Sequence, residues 1–422
     1  MTLSVYLRGV LVGSLERTGP SRYRFTYSKD PIQGDWSDPM TRLSASLPLR
    51  EERFKPSESA PFFEGLLPEG AVRVTVAGKL GISEANGFDM LAALGADCAG
   101  AVVIVPEDRP LPRSPAAAAA RPLSRKQVGD LLRDLPRDPL GIDVDPEGVR
   151  LSLGGVQDKL ILVRLPTGDF AQPLGGTPSN CLLKPEHERF EGLATNETFC
   201  MRVAAAAGNE VATTELCELD GIRCLYSERF DRVVDADGTT TRLHQEDMCQ
   251  ALGVLPTQKY EAEGGPSVAA VIALLRRQSS RRVALDVNAF GRAVLTNFVL
   301  GNSDAHGKNF SLLYDPAAGV RLAPLYDIVS TAVYDGLTPR MAMAIGGEED
   351  PSQVDLRCWE RLGADSGLGG SLPRFVQRWS SEILAATEAT LRDAEEEGWS
   401  HPVLEAIADV ARERARRLIE AR

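Results

Sequence analysis

Residues 296–309 read Thr-Asn-Phe-Val-Leu-Gly-Asn-Ser-Asp-Ala-His-Gly-Lys-Asn, an apolar run that ends in a knot of polar side chains. Asp304 and Asn309 stand at the Asp-x-x-x-x-Asn spacing of a phosphotransferase catalytic loop. In such loops the Asp accepts the proton of the attacking hydroxyl, and the Asn, one turn on, binds a magnesium ion. An acidic metal ligand is then expected downstream, and Asp327 in Pro-Leu-Tyr-Asp-Ile is well placed for it. Magnesium takes hard oxygen ligands, few from protein and several from phosphate and water. One amide oxygen and one carboxylate suit that need. Alone, the loop also fits a capped helix C-terminus, since Gly301, Asn302 and Ser303 are capping residues, and Asp327 fits a turn after Pro324. The apolar stretch Phe310–Tyr314, followed by Tyr326-Asp327, favours catalysis.

Other segments supply matching parts. Lys184 in Cys-Leu-Leu-Lys-Pro ends a short apolar strand, where an ammonium can neutralise phosphates. Glu197, in the next helical pattern, is placed to pair with it as strand lysine and helix glutamate pair in protein kinases. Residues 151–160, Leu-Ser-Leu-Gly-Gly-Val-Gln-Asp-Lys-Leu, form a Gly-rich turn between strand-like runs. Gly154 and Gly155 would let backbone amides approach phosphate oxygens, although this is neither a Walker A nor a G-x-G-x-x-G sequence. Residues 228–232, Glu-Arg-Phe-Asp-Arg, leave an apolar run as a kinase hinge would, with backbone groups for an adenine edge and an aromatic to pack on it. The cluster His244-Gln245-Glu246-Asp247 reads as a helix start, with Gln245, Glu246 and Asp247 in its first turn.

The elements that must position these residues follow from periodicity. Leu3, Val5 and Leu7 alternate, Arg8-Gly9 offers a turn, and Val10, Val12, then Tyr23, Phe25 and Tyr27 continue the strand pattern. Helices are expected over roughly 71–95, and strands at 100–105, 160–165, 181–184 and 225–230, with a helix at 193–207. Beyond 244 the chain reads as mostly helical. Phe290, Val294, Phe298 and Val299 share one face of a helix that leads into the 301–309 loop, and Leu404, Ile407, Val410 and Leu418 share a face of the last one. The Pro- and Ala-rich stretch 106–122 reads as a linker.

At 422 residues the chain is long enough for two or three domains. Its net charge of −12 argues against nucleic-acid binding through a global positive field. Arg276, Arg277, Arg281 and Arg282 form a local basic patch that reads as a solvated helix face. The seven cysteines form no CxxC pair, so neither a zinc site nor a disulfide framework is expected, and they read as reduced thiols of a cytoplasmic protein. Neither a signal peptide nor a membrane span is expected.

Together the segments resemble the HipA family of bacterial serine/threonine kinases, toxins of type II toxin–antitoxin systems. The resemblance covers nearly the whole chain. It rests on Phe62–Pro68, Asp97–Ala101, Ser152–Lys159, Leu183–Pro185, Glu228–Arg232, Gln245–Gln250, Asn302–Ser311 and Pro324–Asp327, in that order. It implies an α+β, two-lobed protein-kinase-like fold of the phosphatidylinositol 3/4-kinase-like branch, with a β-rich N-terminal lobe and a helical C-terminal lobe. The expected organisation is an N-terminal subdomain over 1–105, the linker 106–122, the rest of the N-lobe with its Gly-rich loop over 123–243, and the helical C-lobe over 244–422.

By the same resemblance, ATP and Mg2+ are cofactors, Asp304 is the catalytic residue, and Asn309 and Asp327 are metal ligands. ATP contacts are implied for Gly154, Gly155, Val156, Gln157, Asp158, Lys159, Lys184, Glu228, Arg229, Phe230, His306, Lys308 and Tyr326. Ser152 is implied as an autophosphorylation site, where a phosphate adding about −1.5 to −2 charge would expel the loop and inactivate the enzyme. Known members phosphorylate aminoacyl-tRNA synthetases. They bind a HipB-like helix-turn-helix antitoxin, and they meet operator DNA only through that complex. Two alternatives stand beside this reading. A small-molecule kinase of the aminoglycoside or choline type is opposed by the motifs at 61–70 and 97–101. A catalytically silent co-repressor is opposed by intact Asp304, Asn309, Asp327 and Lys184.

Overall fold

The computed structural model describes residues 1–19, 22–28, 39–109, 111, 120–138, 158–174, 176–236 and 238–421. They form two compact units. One holds Met1–Pro185, Cys217–Pro256 and Leu312–Val320, and the other holds Glu186–Leu216, Thr257–Ser311 and Arg321–Arg422.

The first unit opens with β1 (Thr2–Leu7) and β2 (Val10–Gly19). Arg8 and Gly9 between them have φ of 50° and 79°. Two successive left-handed residues make the type I′ turn whose twist matches a hairpin. With β3 (Arg22–Tyr27) and β4 (Val102–Pro106) these strands form a sheet of order β3-β2-β1-β4. Leu3, Val5, Leu7, Leu15, Phe25 and Tyr27 are buried, as the period-2 pattern predicts. They share one core with Phe62 and Phe63 of α1 (Pro56–Gly65), Val72 and Val76 of α2 (Gly70–Leu80), and Phe88 of α3 (Gly87–Leu94).

A second sheet combines β5 (Arg121–Leu123), β6 (Leu160–Arg164), β7 (Phe170–Gln172), β8 (Cys181–Pro185), β9 (Thr214–Leu219) and β10 (Ile222–Glu228). Its order is β5-β7-β6-β8-β10-β9. Val128 and Leu132 of α4 (Arg125–Asp134) pack into its core beside Leu160, Leu162 and Leu183. The strand expected over 225–230 ends at Glu228. Downstream lie β11 (Arg232–Val234), β12 (Thr240–Arg242) and β13 (His244–Asp247). The helix expected to start at Gln245 therefore starts later. Residues 244–247 pair with β14 (Ser311–Asp315), which in turn pairs with β15 (Gly319–Leu322). Asp247 caps α6 (Met248–Leu252), its carboxylate accepting from Gln250 N at 2.8 Å. The acidic cluster suggested a first turn, but sheet pairing claimed it and left only the last acid as the cap.

A buried ion network holds this unit together. Arg232 donates to Asp97 Oδ1 at 2.9 Å and to Asp231 Oδ2 at 2.8 Å. Arg229 chelates Asp231 at 3.0 and 2.9 Å and donates to Ser179 Oγ at 2.8 Å. Ser179 Oγ in turn donates to Asp97 Oδ2 at 2.6 Å, and Gly100 N donates to Asp231 Oδ2 at 2.6 Å. Burial opposes ionisation of both acids. The arginine charges outweigh it, holding Asp97 well below the usual carboxylate range and Asp231 down to about 2.

The second unit is helical: α5 (Leu193–Ala206), α7 (Val268–Gln278), α8 (Val283–Leu300), α9 (Leu356–Ser366), α10 (Leu372–Glu396) and α11 (Pro402–Ile419). Helix α8 is long and apolar enough to cross a membrane, but most of it is buried inside the unit. Phe290, Val294, Phe298 and Val299 are buried as expected, and Ala408, Ala411 and Ala415 of α11 add a small-residue face. Arg276 is not part of a free patch: its guanidinium donates to Gly367 O at 2.9 Å, at the end of α9. Six of the seven cysteines are buried, and the Sγ atoms of Cys217 and Cys224 lie 3.3 Å apart.

Breaking a buried ion pair from one side strands the other charge, at about 3–5 kcal/mol. Asp97→Asn is expected to lower the stability of the first unit by that order, measured by urea unfolding; a loss below about 1 kcal/mol contradicts the role given to the network. Because both acids titrate below their unfolded values, their contribution is present above about pH 4 and is lost as pH falls below it. The Asn variant should lose part of that acid dependence.

Candidate functional site

Within the second unit, the site begins where α8 ends. Gly301 takes φ 80° as the helix C-cap. A Cβ there would stand 2.8 Å from Ser330 Oγ and 2.9 Å from Ala332 Cβ, so glycine is what lets the two segments pass. Arg414 of α11 donates to Phe298 O at 2.7 Å, filling a carbonyl near the helix end. Thr331 Oγ1 accepts from Ser303 N at 2.9 Å and donates to Gly301 O at 3.2 Å. Its neighbour Ser330 is gripped by the fully buried Asn196 of α5, through Ser330 N to Oδ1 at 2.8 Å and Nδ2 to Ser330 O at 3.0 Å.

These bonds aim the polar loop. Asn302 Oδ1 accepts from Asp304 N at 3.1 Å, while Asn302 Nδ2 donates to Asn297 Oδ1 at 2.7 Å. Asp304 itself is exposed, and Tyr260 OH donates to its Oδ1 at 2.7 Å. The chain then turns through the 3-10 helix Gly307–Asn309, with Asn309 N donating to His306 O at 2.9 Å. That turn brings the Asn309 amide back to 3.5 Å from Asp304 O and 3.4 Å from Asp327 Oδ2. Rotating the amide by half a turn presents its oxygen instead. Asn309 and Asp327 then offer two hard oxygens side by side, the donor set that a magnesium ion takes.

Asp327 has φ 59°, the left-handed region that side-chain-bearing residues enter at a cost. Its neighbour explains how it is held there. Tyr326 OH donates to Lys308 O at 2.8 Å and accepts from Ser311 Oγ at 2.7 Å, tying the Asp327 segment to the loop. The Tyr326 hydroxyl is thus engaged in the loop. His306 is 6% exposed and lies edge-on to Tyr260, ring centroids 5.4 Å apart. Burial, then the Lys259 charge, pushes its imidazole down to about 3, so it is neutral at ordinary pH. Among the described residues its buried Nδ1 has no hydrogen-bond partner.

Other predicted site residues fall in the first unit. Lys184 and Lys159 are 7% and 8% exposed. Leu160 pairs with Leu183 in the β6–β8 ladder; continuing that register by one residue sets Lys159 opposite Lys184. Opposed residues share a sheet face, so both side chains leave the ladder on the same side. Glu228 is exposed at the end of β10, and Phe230 is half-buried. The Arg229 side chain belongs to the ion network, and its backbone N donates to Asn180 O at 2.9 Å, so that N–H is committed within the protein. Asp158 is half-buried beside β6. Ser152, Gly154, Gly155, Val156 and Gln157 lie outside the described residues. Glu197 belongs to the second unit, buried in α5.

Sequence reasoning missed Tyr260, Asn196, Thr331 and Arg414. Tyr260 lies 44 positions before Asp304 and Arg414 lies 116 after Phe298, with no spacing rule to link either pair.

Comparison with known proteins gives the family. The family model described as HipA-like C-terminal domain matches residues 151–393, and that described as HipA N-terminal domain matches 3–105. The putative kinase Y4mE of Sinorhizobium fredii is 42% identical, over 93% of this chain and 92% of its own. The serine/threonine-protein kinase toxin HipA of Shewanella oneidensis is 31% identical, over 89% of this chain and 84% of its own. A solved complex of Shewanella oneidensis HipA with HipB and operator DNA matches with a TM-score of 0.79 and 27% identity, covering 99% of this chain and 96% of the matched one. A mixed α/β chain that matches both domain models over these residues belongs to the HipA family and is a serine/threonine protein kinase.

Proposed function

We propose that this kinase uses ATP and Mg2+, with Asp304 as the base that takes the acceptor hydroxyl's proton. The observation that carries this is the Asn309 amide, poised between the Asp304 backbone and the Asp327 carboxylate. Asn309 and Asp327 would hold the metal, which when bound neutralises charge on the phosphates. The acceptor oxygen bonds the γ-phosphorus as the bond to the β–γ bridging oxygen breaks. The hydroxyl proton passes to Asp304 and ADP leaves. Lys159 and Lys184 offer positive charge to the phosphates, and the 154–159 loop would cover them. The 228–230 segment is suited to adenine through Glu228, Phe230 and the remaining backbone groups. The orphan His306 Nδ1 and the neighbouring Lys308 are further polar groups for the nucleotide.

The finer reading is a toxin of a toxin–antitoxin module, of the phosphatidylinositol 3/4-kinase-like branch and cytoplasmic. Its domains would be 1–105, 123–243 and 244–422, with 106–122 as linker. The Shewanella oneidensis complex supports a HipB-like antitoxin as partner, with operator DNA met through it. An aminoacyl-tRNA synthetase or another translation component is the proposed acceptor, and Ser152 the site of self-inactivation. The N-terminal domain match over 3–105 supports this over a small-molecule kinase.

A positioned base contributes about 10²–10⁴-fold. Asp304→Asn is therefore expected to cut phosphate transfer by at least ~100-fold while ATP binding, measured by calorimetry, persists. Transfer within ten-fold of wild type removes Asp304 from its role. Asp327→Ala should raise the magnesium concentration for half-maximal turnover by roughly ten-fold or more; an unchanged magnesium titration contradicts the ligand assignment. Incubation with labelled ATP should place phosphate on Ser152, and peptide mapping that finds it only elsewhere ends the self-inactivation reading.

A further inference from the structure

The segment Lys259-Tyr260-Glu261 touches the 303–309 loop and its support at several points. Lys259 O accepts from Gly307 N at 3.3 Å, and Glu261 N donates to Ala342 O at 2.9 Å. Glu261 Oε2 accepts from Ala344 N at 2.7 Å, and Ala342 N donates to Ser303 O at 2.8 Å. Tyr260 is therefore pinned on both sides by backbone bonds that run back to the loop. Its ring packs against the neutral, buried His306, and its hydroxyl donates to Asp304 Oδ1 at 2.7 Å.

From this we infer that Tyr260 is a positioning residue for phosphate transfer. It holds one carboxylate oxygen of Asp304 and so restricts the orientation in which the carboxylate meets the acceptor hydroxyl. A carboxylate on an exposed loop otherwise samples several rotamers, and only some face the acceptor. The bond is charge-assisted, the strong class of hydrogen bond. The pinned flanks make Tyr260 a fixed strut, unlike a hydroxyl that swings aside or receives phosphate itself. The inference rests on Asp304 being the base, as proposed above.

Tyr260→Phe keeps the ring against His306 and removes only the O–H. Magnesium-dependent turnover of γ-labelled ATP, counted as protein-bound label plus inorganic phosphate, should show kcat lowered roughly 10- to 100-fold. The KM for ATP should stay within about two-fold, because the lost bond orients the base without touching nucleotide. The thermal midpoint should match wild type. A kcat within about two-fold of wild type, a KM effect without a kcat effect, or phosphate found on wild-type Tyr260 by mass spectrometry overturns the inference. Should the phenylalanine variant lose its fold, 3-fluorotyrosine at 260 tests the same bond through a more acidic donor, and an unchanged kcat again overturns it. Asp304→Asn separates the two layers. If that variant stays active, the assignment of the base fails; if it is inactive while Tyr260→Phe is normal, only the strut fails.

Discussion

Two carboxylates and three guanidiniums, Asp97, Asp231, Arg229, Arg232 and Arg242, meet inside the first unit with little access to water. Charges so buried are tolerated only when each is paired and hydrogen-bonded. The pairing therefore dictates where the chain must run. Asp97 and Gly100 come from the turn before β4, Ser179 from the approach to β8, and the arginines from the exit of β10. Fixing those points fixes the end of β10, and with it Glu228 and Phe230. It also fixes the approach to β8, the strand that carries Lys184. The N-terminal subdomain and the sheet bearing the phosphate-binding candidates are thus one electrostatic construction.

The second unit solves a different problem with the same economy of contacts. Its loop must keep Asp304 in water while holding it still. Helix α8 supplies the anchor: mostly apolar, buried over its second half, and ended by a glycine that passes under Ser330 and Ala332. Beyond that point side chains replace the helical ladder. Asn302, Thr331, Tyr326 and Asn196 each satisfy backbone groups that an irregular loop would otherwise bury unpaired. The strained φ of Asp327 is held because the hydroxyl of the adjacent Tyr326 is bonded to both Lys308 O and Ser311 Oγ.

Much of this was legible in the chain. The period-2 strands at the N-terminus, helix α8 and the Asp304–Asn309–Asp327 spacing all rest on local rules, and local rules read well from sequence. What could not be read was what depended on distant partners. Residues 245–247 carry the acids of a helix start, yet β14 pairs with them. Arg229 sits in a hinge-like motif, yet Asp97 and Asp231 draw its side chain inward. Tyr260 and Thr331 have ordinary neighbours, and only the fold brings them to Asp304 and Ser303. His306 matched a motif, but its burial under Tyr260 could not be read from the residues around it.

The central claim is that Asn309 and Asp327 hold the metal of a nucleotide whose acceptor faces Asp304. A crystal structure with magnesium and a non-hydrolysable ATP analogue tests it most directly. A metal about 2.1 Å from Asn309 Oδ1 and an Asp327 carboxylate oxygen is expected. A metal bound to the phosphates with neither side chain within reach would contradict it.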